Sequence, residues 1–149
     1  MMIPGNKKLI GRIDKVSFPE LGVTDIDAKI DTGAFSVSIH CYEIKALLKE
    51  DKLFVRFSLF DDEKREEHEF KVDSIKQVKN SFGQIENRYI IKTKITLFGK
   101  KYLTDVALSN RSTMKFPVLI GRKLLGGRFI VDVSQQYVSA KLSSKKKKK

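Results

Sequence analysis

The chain has little with which to cross-link itself or to hold a metal. One cysteine, Cys41, stands among 149 residues, which excludes an internal disulfide. Two histidines, His40 and His68, are present, with neither a His-Glu-x-x-His segment nor a Cys-x-x-Cys pair. A catalytic zinc typically takes three protein ligands, and no spacing here requires such a site. A Gly-x-x-x-x-Gly-Lys-Ser/Thr loop is absent as well, which excludes nucleotide binding of the P-loop kind. The longest apolar-rich run, Lys52–Phe60, is broken by Arg56 and falls far short of the roughly 20 residues of a membrane helix. The basic pair Lys7-Lys8 has no apolar signal region behind it, which argues against secretion. A reducing, cytoplasmic compartment without a membrane partner is the expectation.

Acids are also in short supply, with 18 against 30 lysines and arginines and a net charge of +12. Six of the lysines fall in residues 141–149, so half the excess is local. The reading is an N-terminal lead at residues 1–7, one domain at 8–142 and a disordered lysine tail at 143–149. Solvation is the simplest role for the tail, with weak attraction to RNA or ribosomes as the alternative. The body remains moderately basic, which favours an acidic substrate. At 41% hydrophobic residues, a domain of this length can bury a real core.

Short alternating segments dominate. Leu9–Val16, Val23–Ile30, Ser36–Cys41, Lys52–Phe60, Tyr89–Leu97, Tyr102–Leu108, Val118–Ile120, Arg128–Val133 and Tyr137–Leu142 read as strands. Phe98-Gly99-Lys100-Lys101 is a tight hairpin turn, and Asn80–Gln84 is a turn between two strand-like arms. The acidic stretch Asp61–Glu69 reads as a hairpin tip. Short helices are expected near 43–49, from the spacing of Ile44, Leu47 and Leu48, and at 122–125. Many short strands with short turns predict an all-β, closed or nearly closed barrel.

Two segments carry the chemistry. Asp31-Thr32-Gly33-Ala34 follows the strand ending at Ile30, and Leu119-Ile120-Gly121-Arg122 comes some way before the C-terminus. An aspartic protease needs two carboxylates sharing one proton, because like charges that close cannot both ionise. Asp31 is the candidate carboxylate. Thr32 offers a hydroxyl that can bond backbone across a dimer axis, and Gly33 permits a conformation that a side chain would forbid. Leu119, Ile120 and Gly121, with Val118, are the expected floor under that turn. One Asp per chain requires a homodimer. By itself Asp-Thr-Gly is an ordinary strand-end turn; the pairing with the second segment gives it weight.

Over residues 8–140 the chain resembles the retropepsin-like domain family that carries the label ATP-dependent zinc protease. The resemblance lies in Ile10-Gly11-Arg12, Ala28–Ala34, Ser38-Ile39-His40, Asn80–Gly83, Asn87-Arg88, Ile91-Lys92-Thr93, Leu108–Arg111, Met114–Arg122 and Gly127–Asp132. It implies a six-stranded acid-protease-like barrel with one or two short helices, dimeric when active. It also implies action on polyglutamate tails or related acidic peptides, in bacteria that carry ATP-grasp ligases adding glutamates to a small-subunit ribosomal protein. The ATP in the label then reflects that association. No cofactor is expected, with zinc held by Asp31, His40 and a third residue as the alternative.

There are departures. Retroviral proteases place an acid after Asp-Thr-Gly-Ala that pairs with the Arg of Gly-Arg; Phe35, Ser36 and Val37 supply none. Arg122 is left with Asp14, Asp132 or the substrate. Family members often have Arg where Phe35 stands. Ala34, His40, Gly83, Arg88, Arg111 and Arg122 are the substrate-contact candidates. Gly83 lies at the tip of a flap-like hairpin, and arginine forks suit carboxylates. His68 reads as a solvated residue and Cys41 as a small buried one. A non-catalytic protease-fold scaffold remains open. So does a basic nucleic-acid-binding barrel, although Phe54, Phe57 and Tyr89 fall on core-like positions.

Overall fold

The computed structural model describes residues 5–59, 66–79, 82–110 and 115–147, with side chains to residue 142. In chain order the elements are β1 (Lys8–Ile10), β2 (Ile13–Phe18), β3 (Val23–Ile30), β4 (Val37–His40), β5 (Tyr42–Lys49) and β6 (Lys52–Ser58). They continue with β7 (Glu67–Lys71), β8 (Ser74–Lys79), β9 (Ile85–Leu97), β10 (Lys100–Ser109), β11 (Val118–Ile120), α1 (Arg122–Leu125), β12 (Phe129–Val131) and α2 (Val138–Lys147). A 3-10 turn, Pro19–Leu21, joins β2 to β3.

Six strands close a barrel in the order β10, β4, β11, β3, β2 and β9, with β9 pairing back onto β10. Alternation explains the closure. In β9 the side chains of Ile91, Thr93, Ile95 and Leu97 are buried while those between them are not. Val16 and Phe18 of β2, Ala28 and Ile30 of β3, and Val106 and Leu108 of β10 fill the same interior. The strand β9 is long enough to serve two structures. Its second half, Ile90–Leu97, pairs with β10, while Ile85–Ile90 pairs with β8 and forms a two-stranded arm off the barrel.

The sequence reading of Leu9–Val16 as one strand is corrected at Gly11. A Cβ there would lie 2.3 Å from the Gln135 carbonyl oxygen, so only glycine admits the crossing that separates β1 from β2. β1 then pairs in parallel with β12. The helix expected at 43–49 is β5. Three apolar residues satisfy a helical or an extended pattern equally well over so short a span, and pairing with β6 decides it. Leu48 is left 74% exposed as a result. Of the acidic stretch Asp61–Glu69 expected as a hairpin tip, residues 61–65 lie outside the described residues, while Glu67–Glu69 belong to β7 and pair with β6, so the strand begins earlier than expected.

The last expected strand, Tyr137–Leu142, is helical. Tyr137 takes a left-handed φ of 55° and turns the chain. The fully buried carboxylate of Asp14 then accepts the Ser139 backbone N–H at 3.2 Å and the Ser139 hydroxyl. A carboxylate at a helix N-terminus satisfies an orphan donor and complements the dipole. The backbone stays helical to Lys147, through most of the stretch read as a disordered tail.

Candidate active site

Asp31 leaves the end of β3 into a loop that β11 underlies. β11 lies between β3, parallel, and β4, antiparallel, so it runs beneath both arms of the loop at 31–36. The Asp31 N–H donates to the Ile120 carbonyl at 2.9 Å, and the Ala34 N–H to the Asp31 carbonyl at 3.2 Å. One carboxylate oxygen, Oδ1, accepts the Gly33 N–H at 3.0 Å. A Cβ on residue 33 would sit 3.2 Å from that oxygen, tight enough to push the carboxylate aside. Asp31 is half-buried, and Thr32 and Gly33 are exposed.

Gly121 is the pivot between loop and floor. A Cβ there would come within 2.5 Å of the Phe35 carbonyl and 2.6 Å of the Ser36 oxygen, both backbone groups that cannot yield cheaply. The next two residues tie the loop down: the Arg122 N–H donates to the Ala34 carbonyl and the Lys123 N–H to the Phe35 carbonyl, each at 2.9 Å. The Arg122 guanidinium donates to the Thr32 carbonyl at 2.9 Å and lies 5.9 Å from the centre of the Phe35 ring. This corrects the expected choice of partners. Asp14 is taken by Ser139, and Asp132 by Ser134 and Gln135. Phe35, which stands where an acid was missing, gives the guanidinium an aromatic face instead.

The β8–β9 arm stands over the same end of the barrel. Between them lies a cavity of about 390 Å³. Its walls are Ala34, Phe35 and Ser36 of the loop, Ser38 of β4, Lys76 to Lys79 of β8, Arg88 and Ile90 of β9, and Ala107 of β10. Gly83, with φ 80°, lies in the turn joining the arm's strands, beside an 88% exposed Phe82. Arg88 is brought to the site; Arg111 lies outside the described residues. Sequence reasoning overlooked Lys76 and Lys79. The period of two that puts Arg88 and Ile90 on one face of β9 puts Lys76 and Val78 on the matching face of β8, a signal visible once the register is known.

His40 is not in the loop. It sits at the far end of β4 with its ring against Tyr42, 4.6 Å between centroids. His68 is half-buried with its ring 5.7 Å from that of Phe57, a correction to its reading as solvated. Cys41 is fully buried, and desolvation pushes its thiol up to about 12, which makes it inert as a nucleophile. Among the described residues, no group of three His, Cys, Asp or Glu side chains is placed to hold a metal ion. No helix of the described residues is long and apolar enough to cross a membrane. Phe57 is buried, Tyr89 packs against the core, and Phe54 is half-buried with the Lys49 ammonium 5.7 Å from its ring centre, so these rings are not laid out together for base stacking.

A model of the RimB-like family, described as retropepsin-like aspartic endopeptidase RimB, matches residues 9–142. The chain belongs to the RimB-like family. Two curated relatives are named probable alpha-L-glutamate ligases. The one from Shewanella halifaxensis is 34% identical over 136 residues, covering 89% of this chain and 30% of that protein. The one from Desulfotalea psychrophila is 33% identical over 149 residues, covering 92% and 30%. The chain thus spans less than a third of the length of these relatives. A crystal structure of a Legionella pneumophila protein of unknown function is similar at a TM-score of 0.70 and 25% identity, over 91% of this chain and 99% of that one. The retropepsin-like barrel is therefore the fold of this RimB-like chain.

Proposed function

We propose that this RimB-like chain is an aspartic-type endopeptidase, a homodimer in which two Asp31 carboxyls share one proton. The observation that carries the reading is the braced carboxylate. Asp31 ends a barrel strand, is held by the Gly33 N–H, and lies over a floor strand whose Gly121 admits the loop. Exposed Thr32 and Gly33 leave the loop open to a second copy. The ionised Asp31 takes a proton from a water as its oxygen attacks the amide carbonyl, while the protonated Asp31 of the second copy gives its proton to the carbonyl oxygen. The tetrahedral intermediate then collapses, the C–N bond breaks, and the amine leaves with a proton returned by the dyad.

The substrate side rests on charge. The basic body and the ligase names of the relatives support peptides with acidic tails, polyglutamate above all, such as a glutamate ligase would lengthen. Incubation of an oligoglutamate peptide with the wild type and with Asp31→Asn, followed by mass spectrometry, tests this. Cleavage by the wild type that survives a chelator and vanishes in the variant is expected. A rate that needs added zinc would sink the mechanism. An inert wild type, still dimeric, would leave the protease-fold scaffold in its place.

A further inference from the structure

We propose that the face where α2 meets the start of the chain binds single-stranded nucleic acid, with Lys7, Lys8 and Lys141 on phosphates and the Tyr137 ring under a base. Charge is not spread evenly along this chain. Residues 1–13 and 133–149 hold nine of its 30 lysines and arginines and none of its 18 acids, so the 119 residues between them carry 21 cations against 18 acids. The fold brings these two ends together. The Asp132 N–H donates to the Ile10 carbonyl, the Arg12 N–H to the Gln135 carbonyl and the Tyr137 N–H to the Ile13 carbonyl, each at 2.8 Å. α2 then packs against β1 and β2. That helix contains Lys141 and, in sequence, Lys145, Lys146 and Lys147.

The acids that border this face are committed to other groups. Asp14 is fully buried against Ser139, Asp27 pairs with Lys15 at 2.8 Å, and Asp132 accepts Ser134 and Gln135. The Arg12 guanidinium donates to two neutral oxygens, the Val133 carbonyl at 3.2 Å and Gln136 Oε1 at 3.1 Å, so it staples the two ends together and keeps its charge. Among the described residues, Lys7, Lys8 and Lys141 take part in no ion pair. At the foot of α2 an open groove of about 510 Å³ is lined by Gln136, Tyr137, Ala140 and Lys141, with no acid in its wall. The Tyr137 ring is fixed there by its hydroxyl, which donates to Asp27 at 3.1 Å. A ring beside an ammonium takes a base by stacking and its phosphate by charge. Lysine ammoniums act as point charges on phosphate, whereas carboxylates are better matched by arginine forks. An anionic membrane fits less well, because a helix that lies on lipid needs an apolar face as well as a basic one. Val138 is buried in the protein, and residues 139–147 offer only Ala140 and Leu142.

This face shares no residue with the Asp31 loop or the cavity beside it, and its test does not depend on cleavage. Full-length protein is titrated into a fluorescent twelve-nucleotide oligouridylate, read by anisotropy at two salt concentrations. With four phosphates neutralised, affinity should fall roughly fifty-fold between 50 and 200 mM salt. Lys8→Gln and Lys141→Gln should each weaken binding and lower the salt slope by about 0.7. Tyr137→Leu should weaken it at least about fivefold, and Tyr137→Phe should bind as the wild type does. Both lysines are exposed, so their variants fold even where Tyr137→Leu does not. Asp31→Asn should also bind as the wild type does, whether or not the wild type cleaves peptides. Absence of binding would overturn the proposal. So would binding that is lost in combined Lys145→Gln, Lys146→Gln and Lys147→Gln yet indifferent to Lys8→Gln and Tyr137→Leu, which would reduce the site to a charged tail. Tighter binding of a six-residue glutamate peptide, or of phosphatidylglycerol vesicles, would overturn it in favour of an acidic protein or a membrane.

Discussion

Asp31 owes its setting to neighbours that carry no reactive group. Gly121 has no room for a methyl against the Phe35 and Ser36 backbone, so Gly121→Ala must displace the loop or the floor. Overpacking of this kind costs roughly 1–3 kcal/mol, and the loop is the side less buried. Gly121→Ala is therefore expected to lower peptide cleavage more than a stability loss of that size accounts for. Denaturant melts set beside kcat measured well below the melting range check this. The Arg122 guanidinium donates to the Thr32 carbonyl, so in the proposed mechanism it positions Asp31. Arg122→Lys should keep much of the activity and Arg122→Ala lose most of it, with kcat falling rather than KM rising. A rise in KM alone would mean that Arg122 contacts substrate instead.

Helix α2 is an element whose position one buried group decides. Asp14 lies on β2, far from Ser139 in sequence, and holds the helix start by two hydrogen bonds. Asp14→Ala leaves the Ser139 N–H without that acceptor, at a cost of roughly 1–3 kcal/mol. Hydrogen exchange across residues 138–147 should quicken well beyond the barrel average in this variant. Uniform quickening would show that Asp14 serves the barrel and not the helix. The β8–β9 arm and α1 were legible in the sequence, because turn residues and the Gly-Arg segment mark their limits. β5 and α2 were not. Both depend on partners that no local pattern names, β6 for one and Asp14 for the other.

At the scale of the whole molecule, acid should loosen the barrel. The Lys94 N–H and the Thr93 hydroxyl hold the Glu20 carboxyl below its ordinary 4.5, and the Lys15 ammonium, helped by the Tyr137 hydroxyl, holds Asp27 below 3.8. Groups with depressed folded values give stability that is complete above their ordinary values and lost as pH falls through the lower folded ones. Denaturation midpoints should be flat near neutrality and drop below about pH 4, and Glu20→Gln should flatten part of that drop. An unchanged slope in Glu20→Gln would assign the acid sensitivity to other carboxylates. The proposed shared active site has its own signature: activity per chain should fall on dilution if dimers dissociate, with Asp31→Asn chains poisoning wild-type ones on mixing. Activity independent of concentration would point to a site that one chain completes.

The sequence by itself determined the all-β class, the Asp31 loop, the Gly121–Arg122 segment and the family, because each is written in contiguous residues whose backbone demands are local. Tertiary structure decided how those pieces meet. It put β11 between β3 and β4, closed β9 onto β10, gave Arg122 the Thr32 carbonyl instead of an acid, and set Lys76 against Arg88 over the loop. These are pairings between distant segments, fixed by register and burial summed over the whole barrel, and no window of the sequence contains that sum.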